Sequence, residues 1–383
     1  MVTTDFRPVL RQITVGLLAC VFAAQAEAQR VDAEKLKHAE GLFMLSGVPL
    51  GRNQQGSVVS MVLSGNHGKD SMLERLPEFP ELEEVTLEQA KCTESGLRHL
   101  GQLRRLKSLT LVGCGSDDTL AKTLSRHKLE SLTLTGGQFS DKALQPVAGM
   151  TSLRRIDLDI KLTDAGMVHL KGLTNLRELQ ITSGTMSDSA LGNLRGLPNL
   201  HVLRLGDIRI TGQGLAGLAS IPDLKELYLE GTKVDDDGFT QVLKCDHLKM
   251  LSIAYGAITD IGLKRIARLP QLEELDLDNL EISSEGLVHL KTLTNLRNLS
   301  LCLGGKSTSD EDVGILRNLP RLRRLSLAET DLTASGLEQL ARSSQLQELW
   351  LAATNVSAQD VKTLQRALPK CKITWEPPTP PAR

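Results

Sequence analysis

Residues 224–243 read Leu-Lys-Glu-Leu-Tyr-Leu-Glu-Gly-Thr-Lys-Val-Asp-Asp-Asp-Gly-Phe-Thr-Gln-Val-Leu, and this stretch is a clear copy of the unit from which the chain is built. Leu227 and Leu229 alternate with polar residues, which predicts a short strand with the leucines buried and Tyr228 facing outward. Asp235 stands where a helix N-cap is expected, and apolar residues at three- and four-residue spacing follow it. The stretch therefore predicts one strand, one turn and one helix of about three turns.

The same unit recurs at intervals of 23 to 26 residues along most of the chain. Gly often follows the N-cap position by three residues, where the first helical turn is expected to lie close to the neighbouring coil. The chain has 71 leucines but only 2 Trp, 2 Tyr and 6 Phe, which indicates many thin cores. A unit of this length cannot bury its own apolar face, so the copies must stack on one another. The first leucines of the copies are Leu82, Leu106, Leu129, Leu153, Leu176, Leu200, Leu224, Leu248, Leu272, Leu296, Leu322 and Leu346.

These copies resemble leucine-rich repeats. The segment Ile258-Thr259-Asp260-Ile261-Gly262-Leu263, following Leu-x-x-Leu-x-Leu, is similar to the ribonuclease-inhibitor-like, cysteine-containing subclass that is also found in F-box adaptors. The resemblance covers Leu82 to Pro369. It implies an α/β fold, a right-handed leucine-rich-repeat solenoid (horseshoe), with parallel strands on the concave face and helices on the convex face. No F-box motif precedes the repeats, so an exported, bacterial-style form without an F-box is expected.

The sequence predicts five segments in order. Residues 1–28 form a signal peptide, and residues 29–81 form an N-terminal cap helix and a degenerate first repeat. Residues 82–370 form twelve leucine-rich repeats of 23–26 residues. Residues 371–376 form a C-terminal cap strand, and residues 377–383 form a disordered Pro-rich tail. In the repeat that begins at Leu296, the longest one, two extra residues predict a surface loop around 304–308.

The N-terminal residues have the order of an export signal. Arg7 and Arg11 precede an apolar run over residues 13–24, and small residues then suit cleavage after Ala26 or Ala28. The run is too short to span a bilayer, which takes about 20 residues. The Leu-Leu-Ala-Cys segment ending at Cys20 leaves a second route open, namely a lipid anchor. Both routes predict a secreted protein or one of the periplasm or cell envelope.

Charge and cysteine content argue against several classes of function. A net charge of −1 supplies no basic field for nucleic acid, and no Cys or His pair has the spacing of metal ligands. No catalytic set is recognisable, so neither an enzyme nor a cofactor is predicted, and a monomer is expected. Five cysteines remain once Cys20 is removed with the predicted signal peptide. They fall in different repeats or in the terminal cap, and they are predicted to be small buried hydrophobic residues. They are Cys92, Cys114, Cys245, Cys302 and Cys371.

The outward positions of the strands are the predicted functional surface. Tyr228 is expected to be an aromatic anchor within an acidic patch, and Trp350 a second exposed aromatic residue on the same face. Cation binding by the carboxylates is less favoured, because no loop is present to complete a coordination shell. The sequence thus predicts an exported, non-catalytic scaffold that binds a protein or peptide; the alternative is a cytosolic F-box-like adaptor or a ribonuclease-inhibitor-like inhibitor. The candidate binding residues are Tyr228, Glu226, Glu230, Glu274, Asp276, Asp278 and Trp350.

Overall fold

The computed structural model describes residues 30, 32–124, 127–302, 309–316 and 318–377. The predicted signal peptide, Cys20, the loop around 304–308 and the last six residues of the Pro-rich tail lie outside these ranges. The described residues form two compact units, each treated by itself below. One comprises the described part of Met1–Gly115 with Lys122–His127, and the other comprises Ser116–Ala121 with the described part of Lys128–Arg383.

Strands recur once per repeat. The first unit holds β1 (Leu50–Arg52), β2 (Val58–Ser64), β3 (Glu84–Glu88) and β4 (Ser108–Val112). The second holds β5 (Ser131–Thr135), β6 (Arg155–Asp159), β7 (Glu178–Ile181), β8 (Val202–Leu205), β9 (Glu226–Tyr228), β10 (Met250–Ser252), β11 (Glu274–Asp276), β12 (Asn298–Ser300), β13 (Arg324–Ser326), β14 (Glu348–Trp350) and β15 (Lys372–Thr374).

In the first unit, β1 pairs antiparallel with β2, and β2, β3 and β4 follow in parallel. In the second unit, the strands from β5 to β15 are parallel and lie side by side in chain order. Equivalent leucines align across them, as Leu227 does with Leu251 and Leu251 with Leu275. These three leucines are at most 2% exposed. Each unit is therefore a stack of coils with a continuous leucine core, which confirms the predicted leucine-rich-repeat solenoid.

The segments on the other side of the coils are short. An N-terminal helix, α1, covers residues 32–45. The other α-helices are α2 (Asp70–Leu73), α3 (Glu94–Leu97), α4 (Asp117–Leu124), α5 (Asp164–Met167), α6 (Asp260–Ile266), α7 (Ser284–Leu287), α8 (Asp310–Leu316), α9 (Ala334–Leu340) and α10 (Ala358–Ala367). The 3₁₀ segments are Gly65–Gly68, Leu76–Glu78, Arg98–Gln102, Asp141–Val147, Val168–Leu170, Asp188–Gly196, Gly214–Ser220, Gly238–Lys244 and Val288–Thr292.

The predicted helix of about three turns is wrong for most repeats. The outer segment is often a single α-helical turn, a 3₁₀ segment or one followed by the other, whereas α10 reaches 10 residues. A 3₁₀ segment rises about 2.0 Å per residue against 1.5 Å for an α-helix, so it spans the same width of coil with fewer residues. In the described ranges, no helix is both long and apolar enough to cross a membrane.

Candidate functional site

The middle outward residues of six consecutive strands in the second unit stand at one register level. Tyr228 pairs with Ser252, Ser252 with Asp276, and Asp276 with Ser300. The row continues through Ser326 to Trp350. Because neighbouring strands lie about 4.8 Å apart, the two aromatic residues stand about 24 Å from each other. We call this line, from Tyr228 to Trp350, the middle row; its aromatic ends flank one carboxylate and three serines.

A pocket opens at the Trp350 end of the middle row. Its volume is about 230 Å³, and Trp350 is half-buried in its wall. Three of the seven predicted site residues, Glu274, Asp276 and Trp350, meet there. The other lining residues are Met250, Leu275, Asn298, Leu299, Ser300, Arg324 and Ser326. The small serines leave room beside the indole, so an apolar group and a cationic group have space to bind next to each other.

Tyr228, at the other end, is already engaged within the protein. The Arg204 guanidinium carbon lies 4.1 Å from the centre of the Tyr228 ring, and the phenol hydroxyl donates to Glu226 Oε2 over 3.1 Å. Arg204 is also 3.5 Å from Glu226. Tyr228 is half-buried as a result, and not the freely exposed anchor that the alternation predicts. The sequence pattern does not single out Arg204, although it shares a register level with Tyr228 on the neighbouring strand.

The carboxylates near the centre are joined through one buried hydroxyl. Ser252 Oγ lies 3.1 Å from Glu230 Oε1 and 3.0 Å from Asp276 Oδ2, and Ser252 is fully buried. A hydroxyl has a single proton to donate, so only one of two ionised carboxylates can receive it. When Asp276 is protonated, it donates to Ser252, which in turn donates to Glu230, and both contacts are satisfied.

The environment of Asp276 favours that protonated form. Burial is the main cause, and the neighbouring charges of Asp278 and Glu230 add to it, so the pKa of Asp276 is raised to about 6. The Asp278 backbone N–H donates to Asp276 Oδ1 over 3.0 Å, and Asp278 itself accepts from the Cys302 N–H over 2.8 Å. The two side chains are thus held in place, and the charge at the centre of the row changes near pH 6.

Most carboxylates of the acidic patch form no ion pair with a described Lys or Arg. Among the described residues, the ion pairs within the strands of the second unit engage Asp157, Glu178, Glu226 and Glu348, and none reaches Glu230, Glu274, Asp276 or Asp278. No group of three described His, Cys, Asp or Glu side chains is arranged to hold a metal ion. Arg324 lines the same pocket, but its guanidinium pairs with Glu348, so Glu274 and Asp276 keep no ion-pair partner among the described residues and favour a ligand with an amine or guanidinium group.

A third aromatic residue, which the strand pattern does not single out, borders the patch. Tyr255 is 66% exposed and has a φ of 56°, a left-handed conformation that is rare for a bulky residue. Its backbone N–H donates to the Asp278 carbonyl over 3.0 Å, which places Tyr255 beside the acidic patch. Gly231 and Asn279 occupy the equivalent place in the adjacent repeats, so aligning the repeats exposes Tyr255 as the unusual residue.

Comparisons with known proteins address the fold. No known protein family matches the chain, and no curated protein matches it. Among solved structures, an internalin from Listeria monocytogenes aligns over 89% of this chain and 95% of its own, with 22% identity and a TM-score of 0.59. A leucine-rich repeat protein from Leptospira interrogans aligns over 83% of this chain and 90% of its own, with 20% identity and a TM-score of 0.48. With its repeated coils and its likeness to the internalin structure, the chain has the fold of a leucine-rich repeat protein.

Proposed function

We propose that this protein is an exported, non-catalytic scaffold that binds a protein segment carrying Lys or Arg on the strand face of its second unit. The observation that carries the proposal is the pocket beside Trp350. Its lining combines an aromatic wall with Glu274 and Asp276, two carboxylates that form no ion pair with a described Lys or Arg, whereas Arg324 of the same lining pairs with Glu348. A cationic side chain next to an apolar one matches both halves of this lining.

Binding in the pocket follows from two separate forces. Burial of the Trp350 indole supplies apolar stabilisation, and aromatic residues of this kind are over-represented where interface free energy is concentrated. The carboxylates attract a cation and disfavour acidic partners. The short serine side chains of the middle row make the centre of the strand face recessed, so an extended segment has room to lie across strands β11 to β14.

A library of random dodecapeptides displayed on phage tests this function. Selection on the immobilised protein is expected to enrich peptides with Lys or Arg next to an apolar residue. Trp350→Ala is expected to weaken the binding of an enriched synthetic peptide at least tenfold, and Glu274→Gln to weaken it less. Thr133→Ala, an outward position on β5 outside the pocket, is the matched control and is expected to bind like wild type.

Two results would contradict the proposed function. Enrichment of acidic peptides, or of none, would refute the charge argument. If wild type and Trp350→Ala bind an enriched peptide with equal affinity, and circular dichroism shows that both are folded, the peptide binds at a surface that does not include Trp350.

Export and the repeat subclass are parts of the same proposal. Residues 1–28 have the charged, apolar and small-residue order of a secretion signal, and the Thr-Asp-x-Gly-Leu segments support the ribonuclease-inhibitor-like subclass. A reporter fused to residues 1–30 is expected to leave the cytosol. Retention of the reporter in the cytosol would instead favour the adaptor or inhibitor function.

A further inference from the structure

The residues that immediately precede strands β6 to β13 carry an excess of positive charge. Six of these eight positions hold Lys or Arg, although Lys and Arg make up only 45 of the 383 residues. The side chains of all six are exposed. The net charge of −1 therefore conceals a local concentration of cations. We call these positions the basic row; they are Arg154, Arg177, His201, Lys225, Lys249, Glu273, Arg297 and Arg323.

Backbone hydrogen bonds place the basic row in one continuous line. Each member donates its N–H to the carbonyl of the member one coil earlier, as Lys225 does to His201 over 2.9 Å and Lys249 does to Lys225 over 2.7 Å. Because neighbouring strands lie about 4.8 Å apart, the line is about 34 Å long. Its length and even spacing match a linear polymer with a regularly repeated anionic group.

Ion pairs within the protein engage only half of these cations. Three of the six Lys and Arg side chains lie 3.1–3.8 Å from a carboxylate of Glu130 or Glu273. Glu178 and Glu226, the next residues along two of the strands, are already paired with arginines of the strand face. The other three cations of the row form no ion pair with a described residue; they are Arg177, Lys225 and Arg323.

Amide side chains stand two positions before the basic row, on the loops that lead into the strands. The side-chain N–H of Asn175 donates to the Thr151 carbonyl over 2.7 Å, and that of Asn199 donates to the Thr174 carbonyl over 2.8 Å. Asn295 is held by the preceding coil in the same way. The side-chain oxygens of Asn175 and Asn199 receive no hydrogen bond from a described residue, so they are available to accept from the hydroxyl groups of a ligand.

We propose that the basic row binds a linear acidic polysaccharide, namely a polyuronate that carries a carboxylate and free hydroxyls on each sugar. The carboxylates pair with the exposed Lys and Arg side chains, and the hydroxyls donate to the Asn side-chain oxygens. The inference does not depend on the proposed function, because the pocket beside Trp350 takes a cationic group whereas the basic row takes an anionic one.

Two other anionic partners match the basic row less well. A membrane surface would also meet Asp223 and Asp246, which are exposed on the same loops, whereas a single chain needs contact only with the row. Single-stranded nucleic acid is held in part by stacking of its bases on aromatic side chains. The loops that lead into the row contain no Phe, Tyr or Trp; they include residues 171–177, 195–201, 219–225, 243–249 and 291–297.

Isothermal titration calorimetry with oligomers of galacturonic acid tests the proposal. The wild type is expected to bind them with an affinity that falls as NaCl is raised, because the contacts are ionic and exposed. Arg177→Ala/Lys225→Ala breaks no ion pair between described residues and is expected to weaken binding about tenfold. Lys161→Ala/Lys233→Ala is the matched control. It removes the same charge from exposed positions that follow strands of the same unit, and it is expected to bind like wild type.

Two further comparisons make the outcome decisive. A poly-L-glutamate oligomer of equal charge, which has no hydroxyls, is expected to bind more weakly than the sugar oligomer, and Trp350→Ala is expected to bind the sugar like wild type. The proposal is overturned if the wild type does not bind the galacturonate oligomers, or if poly-L-glutamate or an oligothymidylate of equal charge binds as tightly. It is also overturned if Arg177→Ala/Lys225→Ala, folded by circular dichroism, binds no more weakly than the control variant.

Discussion

The carboxylate of Asp236 accepts two hydrogen bonds from Thr259, the N-cap of the next coil. The Thr259 backbone N–H lies 2.9 Å from Oδ1, and its hydroxyl lies 2.6 Å from Oδ2. The same clamp recurs within each unit, where an Asp at the start of one outer segment holds the cap of the next. The other pairs are Asp70–Thr93, Asp117–Ser140, Asp141–Thr163, Asp164–Ser187, Asp188–Thr211, Asp260–Ser283 and Asp310–Thr333.

Removing one clamp is expected to destabilise the second unit. Asp236→Ala leaves the Thr259 N–H and hydroxyl without their charged acceptor, and hydrogen bonds to charged groups contribute about 1.5–3 kcal/mol each when removed. We expect a loss of about 3 kcal/mol in the free energy of unfolding, the lower end of the sum for two such bonds, measured by urea denaturation. Asp237→Ala is the matched control, since its side chain is 91% exposed and pairs only with Arg265 among described residues. Equal losses in the two variants would contradict the role of the clamp.

The glycine that follows the N-cap position by three residues is explained by the same clamp in six repeats. A Cβ on Gly262 would lie 2.3 Å from Asp236 Oδ1 and 2.7 Å from Ile258 Cγ2. Gly262→Ala is therefore expected to lower the thermal midpoint, although alanine is the better residue in an unconstrained helix by about 1 kcal/mol. Gly192→Ala is the control, because its Cβ would meet nothing within 4 Å. A midpoint for Gly262→Ala at or above that of Gly192→Ala would contradict this account.

Asp276 is expected to make stability depend on pH in an unusual direction. Its folded-state pKa of about 6 exceeds the ordinary value of 3.8, so the folded protein binds more protons than the unfolded chain between these values. The contribution of Asp276 to stability therefore falls as pH rises from about 4 to about 6.

Asp276→Asn is expected to remove this dependence. The amide donates to Ser252 and accepts from the Asp278 N–H, as the protonated acid does. Thermal melts are expected to show a higher midpoint than wild type at pH 7.5 and a matching one at pH 4.5. A variant that is less stable than wild type at pH 7.5 would show that the charged form of Asp276 is the favoured one.

Tyr255 is expected to reduce stability while serving the binding surface. A left-handed conformation costs a non-glycine residue about 1–2 kcal/mol, so Tyr255→Gly is expected to raise the thermal midpoint slightly. The same change is expected to weaken the binding of a cationic peptide selected on the wild-type protein. Glu329→Gly, at the same place in another repeat and with a φ of 55°, is the control for the backbone effect. If Tyr255→Gly binds the peptide as tightly as wild type, Tyr255 is not part of the binding surface.

Much of the fold follows from local pattern. The alternation of leucines predicts each strand, and the fixed repeat length predicts that coils stack with their leucines aligned, as Leu227, Leu251 and Leu275 do. The length of the outer segments is not predictable in this way, because α and 3₁₀ turns share nearly the same apolar spacing. Sequence therefore predicts where a helical segment begins but not how it winds.

The candidate site, like the fold, has some features that follow from local sequence and others that depend on how the coils stack. The residues that leave the leucine core and share the strand face, among them Tyr228, Trp350 and the carboxylates, can be read from the sequence, because side chains alternate strictly along a strand. Which of them meet depends on how the coils stack. Coil stacking brings residues about 24 positions apart within bonding distance, so Ser252 links Glu230 to Asp276, and Arg204 covers Tyr228.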